Sequence, residues 1–141
     1  MAMTTVSLDL DSTTLDRLAE QERTTGESQS QLAQRYIDEG LRMERYAGIV
    51  FQDGPTGRRA VVLGGADVWE IMSTVLQVAG DRDAAIETTV AWLGLPPSKI
   101  ETAMAYYAEF HDEIDQRIEL NRTRGAQLEA AWRAGRGLPH Q

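Results

Sequence analysis

The chain has 141 residues, no cysteine, and 22 acidic against 14 basic side chains, a formal net charge of −8. That length holds one compact domain or two small modules, and the charge argues against a general nucleic-acid coat or a polybasic membrane anchor. Without cysteine, disulfides, thiol catalysis and Cys-ligated zinc are excluded. No stretch reaches the length of a membrane span, and Met1 to Thr5 has neither the basic start nor the apolar run of a signal peptide, so the expectation is a soluble, cytoplasmic protein.

In chain order, the first signal is strict alternation. Val6, Leu8 and Leu10 are apolar while Thr5, Ser7 and Asp9 are polar, the period of a half-buried strand. The period then becomes helical, with Leu15, Leu18 and Ala19 on one face and Leu32, Tyr36, Ile37 and Leu41 on another. Asp11 stands at an N-cap position, Gly26 breaks the run, and Ser28 with Gln31 has the spacing of a capping box. A strand and two short helices are too small to bury a core alone, and a lone strand leaves both edges unpaired. The pattern therefore predicts a dimer formed through the N-terminal strand.

Ile49 to Phe51 and Ala60 to Leu63 read as strands around the turn-forming run Asp53-Gly54-Pro55-Thr56-Gly57, a β-hairpin that Gly64-Gly65 ends. Asp67 with Glu70 predicts a second capping box, opening a helix to about Val78. A helix over Arg82 to Leu93 follows, with Ala85, Ile86, Thr89, Val90 and Leu93 available for burial. Ser98 caps the next, whose residues Ile100, Ala103, Met104, Tyr107, Phe110, Ile114 and Ile118 keep helical spacing to at least Leu120. Gly125 kinks or ends it, and Ala126 to Ala134 forms a further helical piece with Leu128 and Trp132 at i and i+4. No repeat and no low-complexity run is present. From Asn121 onward Arg122, Arg124, Arg133 and Arg136 stand against Glu129 alone, a basic tail on an acidic body. Three segments result: 1–46, 47–120 and 121–141.

The strand, helix, Gly-x-Ser break and helix of the first third resemble the ribbon-helix-helix family, the superfamily of the MetJ and Arc repressors and many antitoxins. The fold class expected is mainly α with a short N-terminal β-strand: a dimeric ribbon-helix-helix, then a β-hairpin, a helix-turn-helix-like helical domain and a long C-terminal helix. In that family the paired strands enter the DNA major groove. The resemblance implies that Thr5, Ser7 and Asp9 face the groove, that Val6, Leu8 and Leu10 face the core, and that Ser28, Gln29 and Ser30 sit over the phosphates. Two hydroxyls and a carboxylate take the places where relatives often carry Arg, Lys, Asn or Gln. Asp9 is repelled by phosphate but can accept from a cytosine amine. DNA binding and pure dimerisation both stay open.

Residues 47 to about 120, through GIVFQDGPTGRRA, GGADVWEI and AMAYYAEFHDEID, resemble a second family, small bacterial helical domains often encoded beside PIN-like toxins. Here GDRDAAIETTVAWLGLPPSKI replaces the family's shorter Gly-Ser-Pro-rich linkage. Together the two resemblances imply the antitoxin of a type II toxin–antitoxin pair, a homodimer that represses its own operator DNA and neutralises a cognate toxin protein through its C-terminal part. The alternative is a free-standing ribbon-helix-helix regulator whose C-terminal domain binds a protein or ligand.

Other chemistry reads weakly. His111 and Asp115, at i and i+4, could share a metal, but the other histidine is His140 in the tail, and a solvated acidic face is simpler. Arg58-Arg59 beside Gly54 and Gly57 is no P-loop, and reads as a turn with two exposed arginines. Trp69, Trp92, Tyr106, Tyr107 and Phe110 at helical spacing read as core. No catalytic set emerges, so neither enzyme nor cofactor is expected. Trp132 is placed either against the long helix or the dimer mate, or, with Arg124, Leu128, Arg133 and Arg136, in a toxin groove.

Overall fold

A computed structural model describes residues 2–135. It divides into two compact units, Met1–Arg42 and Met43–Gln141. Arg136 and His140, singled out above, lie outside the described residues.

In the first unit, α1 (Ser12–Thr25) starts where Asp11 accepts the Thr14 amide at 2.7 Å, a bond that holds the Asp11 carboxyl below its ordinary value. The helix stops at Gly26, which is left-handed (φ 77) as a C-cap requires. The capping box before α2 (Gln29–Arg45) is complete: the Gln31 amide donates to Ser28 Oγ at 3.1 Å, and the Ser28 amide donates to Gln31 Oε1 at 3.0 Å. The expected N-terminal strand is absent. Residues 2–11 carry no regular secondary structure, and Val6, Leu8 and Leu10 are 74%, 61% and 45% exposed. A strand exists only through its ladder, and one copy of the chain offers this segment no partner edge.

The sheet among the described residues lies in the second unit. Strands β1 (Ile49–Gly54) and β2 (Gly57–Val62) pair antiparallel from Ile49 opposite Val62 to Gly54 opposite Gly57, around the two-residue turn Pro55-Thr56. Helix α3 (Val68–Val75) ends three residues before the expected Val78. The expected capping box does not form: Asp67 makes no side-chain cap and instead accepts Arg59 Nε at 2.5 Å and Trp69 Nε1 at 3.0 Å. A charge-assisted bond to guanidinium outcompetes one to an amide.

Helix α4 (Arg82–Leu93) matches its predicted span, capped by Asp81 on the Ala84 amide at 2.9 Å and ended by left-handed Gly94. Ala85, Ile86 and Thr89 are buried, Thr89 satisfying its hydroxyl on the Ala85 carbonyl, whereas Leu93 and Trp92 face outward. Trp92 therefore departs from the core reading. Helix α5 (Pro97–Gly135) begins two residues earlier than the cap expected at Ser98 implies. Pro97 takes the first helical position, where its missing N–H costs nothing, so Ser98 is inside the helix and not its cap. Gly125 neither kinks nor ends it, since an interior glycine costs only about 1 kcal/mol relative to alanine. The irregular residue is Phe110 (φ −115, ψ 36), whose ring lies 4.7 Å from Tyr106 and 6.1 Å from Tyr46.

The core of this unit joins Ile49, Ala60 and Val62 of the hairpin to Val68, Ile71 and Met72 of α3 and to Ile100, Ala103, Tyr106 and Ile114 of α5. Arg117 locks α5 to the hairpin turn, donating to the Thr56 carbonyl (2.7 Å), Thr56 Oγ1 (2.8 Å) and the Arg58 carbonyl (2.8 Å). Replacing Arg117 with alanine leaves two turn carbonyls without this donor and removes a charged hydrogen-bond set worth about 1.5–3 kcal/mol. Urea unfolding of the variant is expected to show a loss of that size, with Arg117→Lys recovering part of it.

Candidate interaction surfaces

The first unit folds with almost nothing inside. Its one buried apolar side chain is Leu32, while Val6, Leu8, Leu10, Leu15, Tyr36, Ile37 and Leu41 stay exposed and α1 buries no residue at all. Several of these side chains surround a concavity of about 410 Å³ formed by Leu8, Leu10, Thr14, Arg17, Leu18, Gln21, Ala33, Tyr36 and Ile37. An apolar hollow walled by a coil and two helices is a seat for apolar side chains from elsewhere. Sequence reasoning found its leucines and Tyr36 through their periodicity. It missed Thr14, Arg17 and Gln21, polar residues that a hydrophobic pattern passes over.

Thr5, Ser7 and Asp9 are all exposed, on the same segment as the leucines. Ser28, Gln29 and Ser30 open α2 as expected, but their surroundings are acidic. The Gln29 amide donates to Glu22 Oε2 at 3.1 Å, and Glu27 takes Arg35 Nη1 on both oxygens at 2.8 Å, which raises the Arg35 pKa. With the Ser28 and Gln31 amides bound inside the capping box, a phosphate at this helix start competes with a resident carboxylate. Residues 1–42 hold eight carboxylates against four arginines.

In the second unit the remaining sequence candidates are tied up. Arg58 and Arg59 are half-buried, not exposed: Arg58 lies 3.4 Å from Asp53, and Arg59 is held by Asp67 and the Asp53 carbonyl. His111 Nε2 sits 3.3 Å from Asp112, while Asp115 accepts the Tyr107 hydroxyl at 2.7 Å. The Asp115 bond, with partial burial after it, pushes Tyr107 up to about 12. His111 and Asp115 do not converge, and no group of three metal-ligating residues occurs among the described residues. Tyr106 is fully buried, with Tyr46, Phe51 and Phe110 rings 4.7–6.4 Å away and its hydroxyl on Glu113 at 2.8 Å. Trp69 and Tyr107 pack partly against the same core.

The last third of α5 is different. From 122 to 135 every residue is exposed except Arg133, with Leu128 at 64% and Trp132 at 56%. Arg133 pairs with Glu129 at 2.8 Å and Arg122 with Glu119 at 3.3 Å. Arg124, by contrast, makes no ion pair or hydrogen bond among the described residues. Leu120, Thr123, Arg124, Gln127 and Leu128 line a shallow concavity along this helix.

No protein-family model, curated protein or solved structure matches the chain. No helix among the described residues is long and apolar enough to cross a membrane. The functional reading rests on these surfaces.

Proposed function

We propose that the chain is the antitoxin of a type II toxin–antitoxin pair, a homodimer whose first unit pairs with a second copy and whose α5 end engages the toxin. The observation that carries this reading is the helical arm over 122–135. It contributes nothing to its own core, yet beside an exposed Leu128 it displays Trp132 and Arg124, residue types that dominate interface energetics. In the first unit, strands from two copies would form an antiparallel ribbon in which inner residues of each copy, Val6, Leu8 and Leu10, cover the apolar concavity of the other. Each such side chain taken from water contributes about 1.5–3 kcal/mol.

Co-expression with the product of the adjacent reading frame tests the antitoxin. Growth arrest by that product alone, relief by this chain and co-purification of the two are the expected results; an innocuous neighbour or separate elution would contradict the reading. A gel shift with the chain's own upstream DNA tests autorepression. A specific complex that weakens as salt rises from about 50 to 200 mM is expected if the ribbon reads the groove. The Glu22 contact at the start of α2 favours a second reading, a ribbon that only dimerises, and no shift at low salt would select it.

A further inference from the structure

The charges on the arm of α5 are sorted by face. At 100° per residue, Glu119, Arg122, Glu129 and Arg133 fall on one side of the helix, where they neutralise one another in the two ion pairs described above. Leu120, Arg124, Leu128 and Trp132, each four residues after the last, form a stripe down the opposite side. The stripe is about 18 Å long at 1.5 Å per residue. Arg124 is its only charge, and nothing in the described residues compensates it.

We infer that this stripe seats in a groove on the partner protein that is apolar along its length and carries a carboxylate opposite Arg124, while Arg122 and Arg133 remain in solvent. The inference rests on the antitoxin reading and specifies which face of the arm does the binding. A second copy of the chain is the poorer occupant. Its own stripe has no carboxylate to offer, and antiparallel pairing of Leu120 with the mate's Trp132 sets each Arg124 against the mate's Leu128. A charge desolvated without a partner costs affinity, whereas a desolvated arginine–carboxylate pair resists dissociation. The sequence reading grouped Arg133 with Arg124; helical phase and the Glu129 contact separate them.

Calorimetric titration of the full chain against the adjacent reading frame's product tests this, with circular dichroism of each variant showing that the helix persists. Arg124→Glu is expected to weaken binding roughly 100-fold. Leu128→Glu should abolish binding, and Arg133→Glu should change it less than about 3-fold, as for surface pairs. Equal losses from Arg124→Glu and Arg133→Glu, or none from Arg124→Glu, would overturn the inference and leave the antitoxin reading intact. No binding by the unsubstituted chain would instead remove the antitoxin reading, and the inference with it. Sedimentation supplies a partner-free check. Trp132→Glu should leave the mass unchanged, and a halved mass would show that the stripe binds its own copy.

Discussion

A chain carrying Leu10→Glu is expected to sediment at 15.7 kDa, as a single copy, and to lose the cooperative unfolding of α1 and α2. Leu10 lines the concavity of the first unit together with Leu8, Leu18, Tyr36 and Ile37. In a dimer those side chains leave water, and a carboxylate among them either stays charged without a partner or is forced to take up a proton. Both routes cost several kcal/mol, and a two-fold interface incurs the cost twice. In the proposed dimer the helices would depend on that interface, because Leu32 alone is too little apolar burial to offset the ordering of some thirty helical residues. Asp9→Asn, on the polar phase of the same segment, should leave the mass unaltered. A dimer that survives Leu10→Glu would place the contact elsewhere on the chain.

The second large effect belongs to the other unit. Tyr106→Ala should destabilise it by about 3–5 kcal/mol, the range for removing a buried aromatic ring. Tyr106 is fully buried, and its ring meets Tyr46 from the connection after α2, Phe51 from β1 and Phe110 from α5. Truncation leaves a cavity between three elements that cannot all collapse into it. Tyr106→Phe keeps the ring and gives up the bond to Glu113, so it should cost about 1 kcal/mol. Thermal unfolding monitored by near-ultraviolet circular dichroism distinguishes the two. A loss below 1 kcal/mol for the alanine variant would mean that the aromatic cluster does not hold α5 against the hairpin.

Legibility in the sequence followed the range of the interactions. Asp11, Ser28, Gln31 and Asp81 lie within a few residues of what they bind, so caps and helix starts could be read directly. The hairpin was visible because its turn residues and its register are local. Asp67 was misread because its partner Arg59 comes from the neighbouring strand, and a capping motif says nothing about competitors for the same carboxylate. Propensity alone makes Gly125 a break and says nothing of where a proline falls in a helix. In α5 proline at the first position is harmless, and glycine is carried by the turns on either side.

The candidate surfaces were legible as composition but not as geometry. Alternation in Val6, Leu8 and Leu10 predicts a strand, yet a strand is a property of two edges, and a single chain supplies one. The tail's arginines were countable. That Arg133 and Arg122 are already paired within the helix while Arg124 is not depends on helical phase and rotamers, which the count does not contain.

Isotope-filtered NMR of a mixed sample tests the proposed pairing of two first segments most directly. Labelled and unlabelled chains are unfolded together, refolded and examined for cross-chain contacts. Contacts linking Val6, Leu8 and Leu10 of one copy to the same segment of the other, in an antiparallel register, are the expected result. A spectrum without any contact between copies at these residues would contradict it.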